Sequence, residues 1–412
     1  MYRFKKRKKS QKKSKRIIGL YYWIAVIFVV IAFVLIREIS IKYTPRADFE
    51  PSHATMFIWV EIFQKTQAPL LAELSAYDKI VLYTLNEKEK IRAIEILEAQ
   101  NAVMENIQFE QTPVSGLHKF IWMRDIGPMF LTRRNKLKIV DFKYYDRGLP
   151  FYAGKFDYLY GKRDKINSTR SKLISVGGAR EFNGKGTMLL VELHERFYNK
   201  NYSKEQLERD YKRLLGQKKI IWLNKGLPND DENSTGPLYD SIFPSGANGH
   251  VDEFCRFANP NTILLCHVDS VEAKKEYAYK LARTRLLENL KILQEATDQD
   301  GKPFNIVLIP AAPNLSFRGG KQYNNKECLA ITSYLNFIVT NNTVVIAKYY
   351  QKGYPDSVKK KDEEVKKIFE RLYPDKVILQ HNPIQLNTSG GGFHCISLNI
   401  PKNRHRLKKR FL

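Results

Sequence analysis

Residues 389–401 read SGGGFHCISLNIP. Three consecutive glycines, Gly390, Gly391 and Gly392, let backbone approach a bound molecule closely and allow φ > 0. Beyond them Ile396, Leu398 and Ile400 alternate with the period of a strand. Cys395 therefore stands between a glycine loop and a strand, exposed to whatever the loop binds. The plainer alternative is a buried structural thiol.

Two other stretches hold residues of complementary chemistry. In Gly249-His250-Val251-Asp252-Glu253-Phe254-Cys255-Arg256-Phe257, an extended backbone places His250 and Asp252 on one face. Val251, Glu253 and Cys255 then face the other way. A histidine beside an acid suits proton transfer next to a bound cation; a satisfied core histidine beside a surface acid is the alternative. In Trp122-Met123-Arg124-Asp125-Ile126-Gly127-Pro128, the Gly-Pro pair ends any helix and holds Asp125 at a turn. Alone, Asp125 reads equally as a backbone cap.

Around these stretches strands and helices alternate. Short β-branched runs predict strands at 79–85, 137–144, 219–223, 262–268, 305–310, 343–349 and 376–380. Helices are expected at 87–99, 204–216, 272–296 and 362–372. Ser203 and Gln206 have capping-box spacing at the start of the second. Residues 144–170 and 224–249 have loop composition. At 43% hydrophobic and 12% aromatic residues, the 412-residue chain can bury a core, and disorder is not expected.

The formal net charge of +26 is uneven. Residues 3–16 hold ten Lys or Arg and no acid, and residues 402–410 hold six more. Between the first cluster and Arg37 lie twenty uncharged residues, 17–36 (IIGLYYWIAVIFVVIAFVLI). At about 1.5 Å rise per residue they span a hydrocarbon core of about 30 Å. Their uncharged run exceeds a signal-peptide core, and Arg37-Glu38-Ile39 is no cleavage site. The expected organisation is a basic cytoplasmic arm (1–16), a single-pass transmembrane anchor (17–36), a linker (37–49), a globular domain (50–401) and a basic tail (402–412). The positive-inside rule puts the domain outside the cytoplasm. The anchor implies membrane lipid as a partner, and nucleic acid is not expected. The four cysteines form no CxxC pair, and Cys266, His267 and His394 lack zinc-site spacing. Whether disulfides form is open.

Taken together, the three stretches resemble the agmatine deiminase and Porphyromonas-type peptidylarginine deiminase family. Its members carry WxRDxGP, GHxDxxxRF and GGGxHC segments in this order; the likeness runs over most of 50–401. The resemblance implies an α/β fold of the pentein type, a five-bladed pseudosymmetric propeller of ββαβ units around a central site. It implies hydrolysis of a guanidinium carbon without metal or organic cofactor, on agmatine, free arginine or an arginine-bearing peptide. Asp125 and Asp252 would grip the guanidinium, Cys395 attack its carbon, and His250 move the protons. Trp122, Asn336, Gly391 and Gly392 would shape the substrate pocket, and Arg147 could hold the carboxylate of a C-terminal arginine. The chain departs from the agmatine branch at Val176, where a glutamate normally supports the catalytic histidine. It departs again at Tyr145-Asp146-Arg147-Gly148-Leu149. A second reading is a non-enzymatic, membrane-tethered protein that binds anionic partners on a lapsed scaffold.

Overall fold

The computed structural model describes residues 42–402, apart from 115–116, 118–119, 135, 145–152, 233 and 235, together with Trp23 and residues 26–28. The chain divides into two units, Met1–Tyr43 and Thr44–Leu412. In the first, Trp23, Ile27 and Phe28 are helical and exposed. The remainder of the expected anchor 17–36 lies outside the described residues, as does the basic arm 1–16. Among the described residues no helix is long and apolar enough to cross a membrane.

The second unit repeats one arrangement. Among the described residues, five sheets each hold an antiparallel pair, then at least one helix, then a parallel strand. Met129–Arg133 pairs antiparallel with Lys136–Lys143, and Asn167–Ile174 follows in parallel after the helix Phe156–Arg163. Arg180–Phe182, Thr187–Val191 and Lys219–Leu223 repeat this. So do Cys255–Asn259, Thr262–His267 and Asn305–Pro310. The fourth set is Ile338–Val339, Thr343–Ala347 and Val377–His381. The fifth joins distant parts of the chain: Leu398–Pro401 runs antiparallel to Ser52–Ile58, which pairs in parallel with Ile80–Thr84. Parallel neighbours need a crossover, and the helices supply it.

Two helices form where expected, Lys204–Leu215 and Glu87–Ala99, whereas the helix expected over 362–372 begins earlier, at Asp356. Lys204–Leu215 buries Leu207, Tyr211 and Leu215, starts at the Ser203/Gln206 capping box and ends at Gly216 with φ 64°. Glu87–Ala99 starts at Asn86, whose side chain accepts from Glu89 N. The expected helix 272–296 begins later, at Tyr277, after a separate turn at Glu272–Lys274. The 144–170 region is not all loop, because it contains the helix Phe156–Arg163, where Phe156 and Tyr160 are buried. The expected linker 37–49 overlaps the folded unit: Thr44–Pro45 pairs with Thr132 and Leu131.

The strand pairing positions the site. Leu398–Pro401 runs antiparallel to Ser52–Ile58, and the loops that precede the two strands meet where His394 Nε2 reaches Asp48 Oδ2 at 2.6 Å.

Candidate active site

Cys395 is held by its neighbours' backbones. Its carbonyl accepts from Arg124 N at 3.0 Å, tying the Trp122–Pro128 turn to the glycine loop. Asn336 does most of the clamping: its Oδ1 accepts from His394 N (2.8 Å) and Cys395 N (3.3 Å). Its Nδ2 donates to Glu253 Oε1 (2.8 Å) and Cys395 Sγ (3.2 Å). An asparagine amide has two donors and two acceptor positions, so Asn336 is fully engaged by the protein. It positions the nucleophile loop. The glycines are required by close approach. A Cβ on Gly391 would lie 2.8 Å from the Trp122 ring and 3.0 Å from Cys395 Sγ, and one on Gly392 would lie 2.6 Å from Asn336 Oδ1.

The segment at 250–254 is not extended as expected. Val251–Glu253 is a 3-10 turn with His250 as its N-cap. Side chains three per turn no longer alternate between two faces, so Asp252 and Glu253 both reach the thiol. Cys395 Sγ lies 3.8 Å from Asp252 Oδ2 and 3.6 Å from Glu253 Oε1. Both carboxylates keep one buried oxygen, Asp252 Oδ1 and Glu253 Oε2, without a hydrogen-bond partner in the structure. Buried acceptors left unpaired cost about 1–3 kcal/mol each, so a missing donor is the natural explanation.

Asp125 accepts from Gly178 N at 3.1 Å and faces the same cavity. His250 is fixed through its backbone, donating from N to Asp230 Oδ2 at 2.6 Å. The His194 ring packs edge-on against it, with centroids 5.0 Å apart. Gly178 gives this pair room, since a Cβ there would sit 2.7 Å from His250 Nδ1 and 3.0 Å from Asp252 Oδ2. Val176 is wholly buried, packed with Ala179, Tyr144, Ile174 and Tyr198.

The cavity in front of Cys395 measures about 850 Å³. Trp122, Asp125, His250, Glu253 and Cys395 line it. Asp252 sits behind, with no exposed surface. Its Oδ2 meets His394 Nδ1 at 2.6 Å, and His394 Nε2 meets Asp48 Oδ2 at 2.6 Å. Arg124 and Arg256 each reach Asp48 Oδ2 at 3.1 Å, and Arg256 also pairs with Glu181. Arg147 lies outside the described residues.

Burial sets the protonation of the site, and charge modifies it. Burial pushes the Asp125 carboxyl up against the pull of His250, with Asp252 adding to the rise. Glu253 is driven well up by burial and then by Asp252 and Asp230. Burial acts on Asp252 too, but the hydrogen bond and charge of His394 outweigh it and hold that carboxyl down. Cys395 is driven well above the usual thiol range by burial and by Asp252, Glu253 and Asp125, which favours the thiol over the thiolate.

Among the described residues, two clusters have donor atoms close enough for a metal ion: Asp48, Glu181 and His394, and Asp252, Glu253 and Cys395. The first is already neutralised by two guanidinium groups. The second brings two carboxyl groups and the thiol within 4.8 Å of one another. All four cysteines are free and buried. Of the residues singled out in the sequence, Cys395, His250, Asp125, Asp252, Trp122, Asn336, Gly391 and Gly392 converge here. Glu253 and His394, which lie inside the quoted motifs without an assigned role, join them, as do Asp48 and Asp230, which turn geometry and distant pairing bring in.

Residues 45–401 match the family model for Porphyromonas-type peptidyl-arginine deiminase. An agmatine deiminase homologue of Streptomyces avermitilis is 31% identical over 290 residues, covering 68% of this chain and 75% of the relative. The agmatine deiminase of Medicago truncatula is 27% identical over 311 residues, again 68% and 75%. The solved structure of an Enterococcus faecalis agmatine deiminase matches with a TM-score of 0.71 at 19% identity, covering 88% of this chain and 96% of that one. At that identity the likeness is one of fold.

Proposed function

The chain belongs to the Porphyromonas-type peptidyl-arginine deiminase family, hydrolases of C–N bonds in amidines, and from that premise we propose that it deiminates a guanidino substrate through Cys395. The observation that carries the reading is the pair of unpartnered carboxylate oxygens, Asp252 Oδ1 and Glu253 Oε2, beside the thiol. A guanidinium is planar and presents a fork of N–H donors that satisfies such acceptors. Asp125, which lines the same cavity, supplies a third carboxyl group.

The chemistry follows from the charges. Burial and three neighbouring carboxyl groups keep Cys395 a thiol; a bound cation offsets their field and favours the thiolate, whose proton passes to His250. The thiolate then adds to the guanidinium carbon. His250 gives a proton to the departing nitrogen, which leaves as ammonia, and a thiouronium remains on Cys395. Water adds with His250 taking its proton, the C–S bond breaks, and a ureido product leaves. The family glutamate is replaced by Val176, which cannot support His250; the Asp230 carboxylate and the His194 ring hold that segment instead.

Agmatine, free arginine and arginine-bearing peptides all carry the reacting group. The five repeated sheets support closure into a pentein propeller with Cys395 near its axis. The uncharged run 17–36 between basic flanks supports tethering to a membrane, with the catalytic unit outside the cytoplasm.

The test is a panel of agmatine, arginine and an arginine-terminated peptide, read as ureido product and ammonia, with and without a chelator. At least one substrate should turn over, insensitive to the chelator and lost in Cys395→Ala. Asp252→Ala should lower kcat/KM at least ~100-fold, because it removes a buried partner of the cation. Full activity in that variant sinks the assignment.

A further inference from the structure

The motif histidine next to the nucleophile, His394, has no part in the chemistry above, yet it is the most tightly held group near it. Its ring spans two carboxylates, with Nδ1 2.6 Å from Asp252 Oδ2 and Nε2 2.6 Å from Asp48 Oδ2. Its backbone N donates to Asn336 O at 3.1 Å and to Asn336 Oδ1 at 2.8 Å. Its carbonyl accepts from Arg124 Nε at 3.5 Å. We propose that His394 is a positioning residue for cation binding: it occupies one oxygen of Asp252, fixes the plane of that carboxylate, and leaves Oδ1 open for a substrate N–H. The inference rests on the guanidinium reading of the site.

A neutral imidazole has one N–H and one lone pair, so between two carboxylates it would set a lone pair against an oxygen at one end. With both nitrogens 2.6 Å from a carboxylate oxygen, a ring that donates at both ends would make both contacts charge-assisted. The surroundings balance that charge. Asp48, Glu181 and Asp252 supply three negative charges, and Arg124, Arg256 and His394 supply three positive ones. A metal ion on Asp48, Glu181 and His394 would exceed that balance.

The far end of the chain of contacts is rigid. Arg256 has almost no exposed surface and donates to the carbonyls of Leu335 (3.2 Å) and Phe337 (3.1 Å) while stacking on the Phe337 ring. Asp48, clamped by Arg256 and Arg124, therefore cannot follow His394 if the ring swings. The ring cannot swing without breaking Asp48's contact, and Asp252 cannot rotate without breaking His394's. A carboxylate held by one oxygen only, in an otherwise unpartnered pocket, has a single orientation to offer a planar cation.

Conservative variants separate positioning from mere packing. The amide nitrogen of Asn mimics Nδ1 and that of Gln mimics Nε2. His394→Asn keeps a donor at Asp252 and loses only the outer anchor at Asp48, so KM rises, but by less than in His394→Gln. His394→Gln keeps a donor only at Asp48, and KM rises by about 10–100-fold, with kcat changed less, as expected for one charge-assisted hydrogen bond. Agmatine binding to Cys395→Ala, with and without His394→Gln, measured by calorimetry, gives the same comparison without turnover. Should His394→Gln fail to fold, Asp48→Asn loosens the outer end of the same chain and raises KM in the same direction. A wild-type enzyme that turns over, paired with an unchanged KM in His394→Gln or Asp48→Asn, overturns this inference alone. So does equal impairment of the Asn and Gln variants. A wild-type chain that neither turns over nor binds any of the three guanidino compounds overturns the functional reading, and this inference with it.

Discussion

Asp230→Asn tests whether the loop carrying His250 is held as described. Asp230 is almost wholly buried, and its two carboxylate oxygens accept from separate backbone donors, Ala247 N at 2.7 Å and His250 N at 2.6 Å. Asparagine keeps one acceptor and turns an NH2 toward the other N–H. One buried donor is then orphaned, which costs about 1–3 kcal/mol. If the strain falls on His250, kcat/KM drops by about 10–100-fold at about 1.4 kcal/mol per decade. The pH profile adds a second readout. Burial pushes the Asp230 carboxyl up to about 7, opposed by His250 and the backbone donors. Below that pH the acid carries a proton where an acceptor is needed, so wild-type kcat/KM climbs as pH passes through about 7. The asparagine variant lacks this step. Steady-state kinetics from pH 5.5 to 8.5 and urea unfolding of both proteins measure the two effects. An Asp230→Asn enzyme within twofold of wild type at every pH, equally stable, would refute the reasoning.

Gly178→Ala places a methyl group 2.7 Å from His250 Nδ1 and 3.0 Å from Asp252 Oδ2. Activity should fall at least ~100-fold while circular dichroism stays native, because the clash displaces proton-transfer and cation-binding groups together; wild-type kcat/KM would contradict the described packing. Glu195, buried against Tyr211, has its carboxyl raised by burial from 4.5 to about 7. A raised carboxyl favours the folded state below pH 4.5 and loses that advantage as pH rises through about 7. Glu195→Gln keeps an acceptor for Tyr211, so it should match wild type near pH 4 and exceed it by about 3 kcal/mol at pH 8 in urea unfolding; a pH-independent difference would argue against the shift.

The sequence disclosed the crossover strands and the amphipathic helices, because buried parallel strands read as apolar runs and helices as stripes. Asn167–Ile174 escaped notice because it is a largely exposed edge strand of polar composition. Phe156–Arg163 escaped because only two of its buried residues are large and apolar. In the site, residues next to glycines and in dense motifs were legible. Glu253 was not, since alternation assigns it the wrong face and only the 3-10 turn brings it to Cys395. Asp48 reads as linker, because nothing in its neighbourhood announces a partner 346 residues away.

That distance bears on how fragments of this protein should be understood. The three motifs begin at Trp122, so a piece starting at residue 60 would keep every one of them. It would lack Ser52–Ile58, the strand against which Leu398–Pro401 is laid, and Asp48, which steadies His394. Such a piece would spell the enzyme in full and still have no surface on which to hold its nucleophile in place.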